Sequence, residues 1–381
     1  MKVKKLAIIG ASYLQEPLIQ KAKSMGIETH VFAWKANDVG EKSADFFYPI
    51  SIVEKDEILS KCREIGIDGI CSIASDLAAI TVNYVANAMG LVGNSMECSH
   101  VSTNKHAMRK CFESANIPSP KSILVRNAGD MAGIDICYPV IVKPLDRSGS
   151  RGITKVDKEE ELSDAIETAK QQGFEKAALV EEFVCGSEYS VECISWHGEH
   201  TFLALTYKYT TNAPHFIEVA HLEPAVVDAA ILEKVKEITF RALDSLNITN
   251  GASHSEVKIS DDGEIKVIEI GGRMGGDWIG SHLVEMAMGI DFVRAVIQVA
   301  LGEKPDTGAK HPVRAAAIRY LFTKEDEKDL ERLKEEHKEY LVCHGVLNNT
   351  GEAVTDSSNR LGYYLMEADS VEKLKDYLPE I

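Results

Sequence analysis

The sequence predicts a protein of mixed α/β and α+β class, with an N-terminal doubly wound parallel sheet, a central part built from paired strands and a small C-terminal α+β unit. Three observations support this prediction. Strands and helices alternate over residues 1–95, which is typical of a parallel sheet. Strand signals come in pairs from about residue 138 onward. The chain has 381 residues, 45% apolar and 27% charged, which is a globular composition and a length for two or three domains.

The N-terminal elements each carry a local signal. An apolar run predicts a strand over 3–9, and the helix expected over 16–25 ends at Gly26. The other elements predicted here are strands at 28–33, 44–50 and 69–73 and helices at 55–65 and 77–89. Right-handed crossovers would bring Gly10–Tyr13 and Ala74–Asp76 to one edge of the sheet, where sheets of this kind usually bind ligands.

The pattern changes after a helix predicted at 104–115, which Pro118 and Pro120 follow. Further on, Asp261-Asp262-Gly263 predicts a hairpin turn. The predicted strands are 138–144, 177–183, 188–195, 201–209, 251–259, 264–270, 314–321, 341–346 and 362–367, and the predicted helices are 157–172, 228–246, 283–301, 325–337 and 371–377. We therefore expect four units, at 1–95, 96–185, 186–308 and 309–381.

Charge and cysteine content exclude several classes of protein. Forty-two basic and 59 acidic residues give a formal charge of −17, which disfavours a main role in binding nucleic acid but permits a small basic pocket for one nucleotide. We expect no membrane span, because no apolar run is long enough, and the run at 6–9 is too short for a signal peptide. The eight cysteines form no C-x-x-C pair, and scattered free thiols indicate the cytoplasm.

The first candidate site segment follows the strand that ends in Lys143. The loop after this lysine contains two glycines and two serines between 147 and 152, together with Arg147 and Arg151. Backbone amides of such a loop can surround phosphate oxygens. An ordinary hairpin loop with a surface lysine is an equal alternative from this segment alone.

The second segment, residues 179–192, places Glu181 and Glu182 at the end of an apolar strand and Glu188 after a glycine. Free backbone groups at a strand end can hydrogen-bond an adenine edge, and a carboxylate can accept hydrogen bonds from ribose hydroxyls. Taken alone, the segment is better explained as an edge strand with solvated acids.

The third segment carries the most specific signal. Counting inward from the hairpin turn places Glu256 and Glu269 roughly opposite each other on adjacent strands. Two facing carboxylates among apolar neighbours require a cation, and oxygen ligands favour Mg²⁺. Arg273 follows in the glycine-rich sequence 271–277, which suits an anion held against the backbone. The alternative is a structural Glu–Arg ion pair at a glycine-rich turn.

In this order and spacing, the three segments resemble the ATP-grasp superfamily, and the sequence is most similar to its carboxylate–amine ligases and L-amino acid ligases. The resemblance covers essentially the whole chain and implies an ATP-grasp fold after the N-terminal domain, with a C-terminal unit like that of the biotin-carboxylase-like branch. One departure concerns the metal site, because the asparagine expected two residues after the second glutamate is Gly271 here.

The resemblance implies ATP-binding and catalytic roles for the matching residues. Those implied for ATP are Lys105 and Lys143 at the phosphates, the loop Ser148–Gly152 with Gly149 above them, Glu181, Glu182 and the backbone near Val184 at adenine, and Glu188 at ribose. Those implied for metal and chemistry are Glu256 and Glu269 as Mg²⁺ ligands, with Mn²⁺ as a substitute, and Arg273, His254 and Lys143 as catalytic residues. His221, Trp278 and Arg360 are further candidates without an assigned role.

The implied activity is ligation of a small carboxylate to an amine through an acyl phosphate, with release of ADP and phosphate, by a cytoplasmic enzyme that a family comparison suggests is a homodimer. The first alternative is a purine-pathway enzyme of the same superfamily, such as a glycinamide ribonucleotide synthetase or a related carboxylase. The loop Gly10–Pro17 argues against it, because it has one glycine and no basic residue with which to bind a ribose phosphate. The second alternative is a non-catalytic nucleotide-binding protein.

Overall fold

The computed structural model describes residues 3–131, 133–146, 152–211, 216–347, 354 and 357–379. Within these residues the N-terminal domain contains a parallel sheet, as predicted, and its strands have the order β3-β2-β1-β4. Its strands are β1 (Lys5–Ile9), β2 (Glu28–Phe32), β3 (Phe46–Tyr48) and β4 (Gly69–Cys71), and its helices are α1 (Glu16–Ser24), α2 (Val39–Ser43), α3 (Lys55–Ile65) and α4 (Asp76–Met89). The ends of β1 and β4 therefore lie on one edge.

Two helices, α5 (Met96–Thr103) and α6 (Lys105–Ser114), connect this domain to the rest of the chain. The sequence analysis missed α5, although Ser95 caps it by accepting a hydrogen bond from the backbone of Cys98. Asn104 ends α5 and caps α6 by accepting from the amide of Ala107. This sharp junction fixes Lys105 at the first position of α6.

A four-stranded antiparallel sheet follows, in the order β5-β8-β6-β7, with one helix packed against it. Its elements are β5 (Ser122–Val125), β6 (Val140–Pro144), β7 (Thr154–Val156), α7 (Glu159–Gln172) and β8 (Ala178–Glu182). Val140 and Val142 point from β6 into the apolar core under α7. Because side chains alternate along a strand, Lys143, the next residue, faces the opposite side of the sheet.

The remaining strands form a single eight-stranded sheet, in the order β13-β12-β9-β10-β11-β14-β16-β15. They are β9 (Ser187–Trp196), β10 (Glu199–Thr210), β11 (Glu218–Glu223), β12 (Gly251–Ile259), β13 (Ile265–Gly271), β14 (Ala315–Leu321), β15 (Leu341–Val346) and β16 (Gly362–Ala368). Because β11 pairs with β14, the C-terminal strands extend the central sheet, and the boundary expected at 308/309 does not separate two sheets. The strand β11 was not predicted.

The helices of this half are α8 (Ala229–Ser245), α9 (Val284–Met288), α10 (Phe292–Ala300), α11 (Lys324–Glu336) and α12 (Glu372–Lys375). The single helix expected over 283–301 is wrong: a π-helical turn at Ile279–Leu283 leads into α9, and Gly289 separates α9 from α10. Gly289 has a φ of 72°, which ends a right-handed helix. One buried apolar cluster contains residues of β1 and of α10, so the N-terminal domain shares a core with the central sheet.

Candidate active site

A cleft of about 300 Å³ lies where the three sheets meet. The loop after β4, strands β6 and β8, the central strands β10 to β13 and the glycine-rich sequence 271–277 all line it. Ten of the residues assigned roles in the sequence analysis line this cleft: Lys105, Lys143, Glu181, Glu182, Val184, Glu188, His254, Glu256, Glu269 and Arg273. Residues from every part of the chain thus converge on one volume.

The two carboxylates proposed as metal ligands lie directly opposite each other. Glu256 on β12 pairs with Glu269 on β13, and a bulge beside Glu256 shifts the register by one residue. Without that bulge Ile268 would face Glu256, so the irregularity puts both carboxylates on the cleft side. The facing arrangement expected from the hairpin is therefore confirmed.

A lysine holds each of these carboxylates. Nζ of Lys105 lies 2.7 Å from Oε1 of Glu269, and Nζ of Lys208 lies 2.7 Å from Oε1 of Glu256. Burial opposes ionisation of Glu256, but the Lys208 ammonium and His254 outweigh it and hold the pKa of Glu256 well below its usual value. Among the described residues, no cluster of three His, Cys, Asp or Glu side chains is arranged to hold a metal ion.

Lys143 belongs to a buried charge triad that is centred on Glu181. Its Nζ lies 2.6 Å from Oε2 of Glu181, whose Oε1 lies 2.9 Å from Nε of Arg109. Burial lowers the pKa of Lys143, and the Glu181 carboxylate works against that decrease. Glu181 therefore contacts Lys143, whereas the resemblance implied that Glu181 holds adenine and Lys143 holds phosphate.

The end of β8 and the residues after it supply one wall of the cleft. Glu182 is held by Lys266 at 2.5 Å, and Phe183 and Val184 line the cleft beside it. Glu188 lies 2.8 Å from Lys208, the lysine that also contacts Glu256. The glycine loop falls largely outside the described residues: Ser148 and Gly149 are not described, whereas Gly152 is, with a φ of 69°.

Arg273 forms an ion pair, but its partner is not the glutamate that the sequence suggested. Its Nε donates to Oδ1 of Asp76 at 2.8 Å, and its Nη2 donates to Oδ2 at 3.1 Å. Burial favours neutral Asp76, yet the guanidinium outweighs burial and lowers the pKa of this carboxyl group. The N-terminal domain thereby contributes a carboxylate to the cleft.

His254 is one half of a buried pair with Glu192, whose Oε1 contacts its Nδ1. Burial would lower the pKa of His254, but Glu192 raises it to about 9. The second carboxylate oxygen of Glu192 accepts a hydrogen bond from the amide of Gly275 at 3.0 Å. A Cβ at position 275 would lie 2.6 Å from Glu192 and 2.7 Å from His254, so the glycine lets the segment approach this pair.

Two of the three candidates without an assigned role, His221 and Arg360, lie beside Asp277. His221 lines the cleft, with Nε2 3.5 Å from Asp277. Arg360 is 1% exposed, lies 2.8 Å from Asp277 and 3.0 Å from Glu218, and stacks over the ring of Tyr320. Two protein carboxylates, those of Asp277 and Glu218, therefore already hold this guanidinium.

Trp278 contacts other aromatic side chains instead of lining the cleft. Its ring centroid is 3.9 Å from that of Tyr363 and 5.0 Å from that of His282. Trp278 has a φ of 64° and its neighbour Asp277 a φ of 50°. Both values lie in the left-handed region, which residues other than glycine seldom adopt. The turn at 277–278 therefore directs Asp277 toward Arg360 and Trp278 away from the cleft.

Several site residues were not found from the sequence. They are Arg109, Glu192, Lys208, Glu218 and Asp277, together with Asp76 in its role as the partner of Arg273. Lys208 and Glu192 carry a detectable signal, because each is a charged residue within an apolar strand that the structure buries. Asp76 and Asp277 carry none, since their partners lie far away in the sequence.

Comparison with known proteins accounts for this arrangement. The sequence profile of the ATP-grasp domain matches residues 136–282, which include Lys143, Glu256, Glu269 and Arg273. The chain contains an ATP-grasp domain. Lys105 and Asp76 precede the matched residues in the sequence, yet both line the same cleft.

The ATP-grasp domain has relatives among ligases. The chain is 28% identical over 309 residues to an alanine–anticapsin ligase of Bacillus amyloliquefaciens, covering 71% of this chain and 65% of that protein, so it spans less than two thirds of that relative. It is 26% identical over 231 residues to a D-alanine–D-alanine ligase of Pseudomonas fluorescens, covering 57% and 68%.

Two solved structures share the whole fold. An L-amino acid ligase from Bacillus licheniformis superposes with a TM-score of 0.83 at 23% identity, covering 99% of this chain and 96% of that one. A phosphoribosylglycinamide synthetase from Anaerococcus prevotii superposes with a TM-score of 0.77 at 22% identity, covering 98% and 96%. In the described part of our chain, no helix combines the length and apolarity that crossing a membrane requires.

Proposed function

We propose that this protein is an ATP-dependent ligase that activates a small carboxylate as an acyl phosphate and joins it to an amine, releasing ADP and phosphate. The observation that carries the proposal is the convergence of Glu256, Glu269, Lys105, Lys143 and Arg273 on one cleft. Phosphoryl transfer needs its charge neutralised and its reactants aligned, and it needs no side-chain nucleophile. Amino acid ligases among the relatives support an amino acid as one substrate.

Lys143 and Lys105 would contact the ATP phosphates. Both side chains are about 5% exposed and point into the cleft, so their ammonium groups meet an anion with little competition from water. Arg273 would hold the acyl phosphate against the glycine segment. The wall at 182–184 would hold adenine, and Glu188 would accept hydrogen bonds from ribose. The resemblance assigns the loop at 148–152 to the phosphates, and only Gly152 of this loop is among the described residues.

The donor set fits Mg²⁺. Two facing carboxylates with oxygen ligands supplied by substrate phosphates is a usual arrangement for this ion, and Mn²⁺ accepts the same ligands. The bound ion would neutralise phosphate charge. The lysines that now contact Glu256 and Glu269 would then share those carboxylates with the ion.

The decisive experiment measures phosphate release from Mg-ATP with all twenty amino acids, singly and in pairs. Release that depends on two particular amino acids, with a dipeptide found by mass spectrometry, is the expected result. The matched control is Glu269→Gln, which should be silent. Failure of every pair would contradict an amino acid ligase, and turnover in the Glu269→Gln protein would contradict the assigned site.

A purine-pathway ligase is the alternative to separate in the same assay. Here hydrogen bonds within the protein hold the loop after β1. The backbone amide and the hydroxyl of Ser12 donate to the side-chain oxygen of Gln15, and the side-chain amide of Gln15 donates to the carbonyl of Ile73. These contacts leave the loop poorly suited to bind a ribose phosphate. Phosphate release with 5-phosphoribosylamine and glycine, but with no amino acid pair, would favour the alternative.

Two further expectations remain predictions. We propose a cytoplasmic location. The observation that supports it is that all eight cysteines are free. A homodimer is predicted from the family resemblance, and sedimentation at micromolar concentration would measure it.

A further inference from the structure

The space beside Gly271 is filled by the N-terminal domain. A Cβ built on Gly271 would lie 2.9 Å from Oδ1 of Asp76 and 3.2 Å from Nε of Arg273. The φ of Gly271 lies outside the left-handed region, so its backbone would accept any residue. Glycine is therefore required here by space and not by conformation. The asparagine that the resemblance leads us to expect would occupy the volume in which Asp76 now meets Arg273.

Asp76 reaches this position from the first turn of α4, which is well anchored. The hydroxyl of Ser75 caps α4 by accepting from the amide of Ala78, and the amide of Ala74 donates to the carbonyl of Met274 at 3.2 Å. Ala74 itself has a φ of 59°, an uncommon conformation for alanine that turns the chain toward the glycine segment. The two segments are thus joined by a backbone hydrogen bond and by the Asp76–Arg273 ion pair.

The pair determines which donors Arg273 offers to the cleft. Nε and one hydrogen of Nη2 go to Asp76, and one hydrogen of Nη1 goes to the carbonyl of Met274 at 3.2 Å. A guanidinium has five N–H groups, so as far as the described residues go, one remains on each terminal nitrogen. Two such donors on adjacent nitrogens match two oxygens of a phosphoryl group.

We propose that Asp76 is a positioning residue that replaces the missing asparagine: its carboxylate, in the space left by Gly271, orients Arg273 so that the two remaining donors hold the transferred phosphoryl group. This proposal rests on the proposed function for the identity of the anion. It predicts that positions 76 and 271 are coupled, since a side chain at one position requires a small residue at the other.

The test compares four proteins: the native chain, Asp76→Ala, Gly271→Asn, and the double variant. Calorimetry measures the affinity of each for MgADP and then for inorganic phosphate in the presence of saturating MgADP. We expect each single substitution to weaken phosphate binding about tenfold, with MgADP affinity unchanged. In the double variant the asparagine occupies the vacated space beside Arg273, and most of the phosphate affinity should return.

The matched control is Asp56→Ala, because Asp56 also lies in the first turn of a helix, α3, but outside the cleft. It should leave phosphate affinity unchanged while losing the same helix-end charge. Equal phosphate affinity in all four proteins, no phosphate binding by the native chain, or a double variant weaker than both singles would overturn the proposal. This assay needs no carboxylate or amine substrate, so it tests the role of Asp76 even where the ligase assay fails.

Thermal unfolding of the same proteins separates positioning from folding. If a single variant lost both stability and MgADP affinity, Asp76 would have a structural role, and this result would also overturn the proposal. Where ligase turnover is measurable, kcat should fall in the singles and recover in the double variant, with the KM for ATP little changed.

Discussion

Nζ of Lys208 lies 2.7 Å from Oε1 of Glu256 and 2.8 Å from Oε1 of Glu188, so one ammonium group holds a proposed metal ligand and the proposed ribose ligand together. Its side chain is 3% exposed, and Glu218 lies 3.7 Å away. Burial lowers the pKa of Lys208, but these three carboxylates outweigh burial and raise it well above the usual value. Lys208 is therefore a permanent cation that keeps an acidic cleft stable before any ligand binds.

Replacing Lys208 by methionine should destabilise the protein in the absence of metal. The substitution leaves three partly buried carboxylates without their shared cation, and breaking a buried ion pair typically costs about 3–5 kcal/mol. Mg²⁺ should restore part of this loss, because the variant gains more than the native protein from a bound cation. Thermal unfolding with EDTA and with Mg²⁺ measures both effects. Lys236→Met, which removes an exposed pair with Glu233, is the control, and equal unfolding temperatures for the two variants would refute the role of Lys208.

Glu269→Gln should abolish ADP formation and leave the fold intact. The amide removes a negative charge beside Lys105 without changing the size of the side chain, so the hairpin β12–β13 should persist. Loss of a charged group at a phosphoryl-transfer site typically costs at least about 10²-fold in kcat. Turnover and circular dichroism measure the two outcomes. Glu264→Gln, an exposed substitution in the same hairpin, should retain native turnover, and activity near native in the Glu269 variant would exclude it from the site.

Glu181→Gln should make ATP binding more sensitive to pH. Lys143 attracts phosphate only when protonated, and burial already lowers its pKa, so affinity should fall as pH rises through that lowered value. Glu181 is the main group that counters burial, so its loss lowers the pKa of Lys143 further. The decline in ATP affinity should therefore begin at lower pH in the variant.

Titration of ATP by fluorescence from about pH 6 to about pH 10 tests this shift. Lys143→Ala should weaken ATP binding throughout the range, and Lys158→Ala, an exposed lysine at the start of α7, should not. Curves for Glu181→Gln and the native protein that run parallel over the whole range would mean that Glu181 does not control Lys143.

The parts of the site that the sequence predicted are those set by local patterns. The hairpin turn at 261–263 fixes which strands pair, so counting residues from it placed Glu256 near Glu269 without any structure. Lys143 was found because it ends an apolar strand. In the fold, the alternation of strands and helices predicted the parallel sheet, in which β1, β2 and β3 pair with their sequence neighbours and β4 joins beside β1.

The parts that the sequence did not predict depend on contacts between distant segments. Asp76 and Arg273 are 197 positions apart, and no periodicity links them. The bulge beside Glu256 inserts one residue into the ladder, which the turn sequence does not encode. Likewise β11 joins the C-terminal strands to the central sheet by pairing with β14, almost a hundred residues later, so a boundary drawn from local composition fell inside one sheet.

Glu223→Gln should stabilise the protein, and more so as pH rises. Glu223 is fully buried; its Oε2 accepts a hydrogen bond from Thr206 at 2.7 Å, and Oε1 has no partner among the described residues. Burial and the nearby charge of Glu192 raise the pKa of Glu223 well above its usual value, so the folded protein keeps it neutral. The unfolded chain ionises Glu223 above about pH 4.3, so this one group lowers the stability of the native protein by about 1.4 kcal/mol per pH unit from there up to the raised pKa of the folded protein.

Glutamine has no proton to lose, so the difference in unfolding free energy between the Gln variant and the native protein should widen between about pH 5 and about pH 8. Urea unfolding at several pH values in this interval measures the difference. Glu199→Gln, an exposed substitution on the neighbouring strand β10, removes the same charge without the burial and should show no such widening. A constant difference for Glu223→Gln across the interval would mean that Glu223 is ionised in the folded protein, and its charge would then have to be balanced from the side of Glu192 and His254.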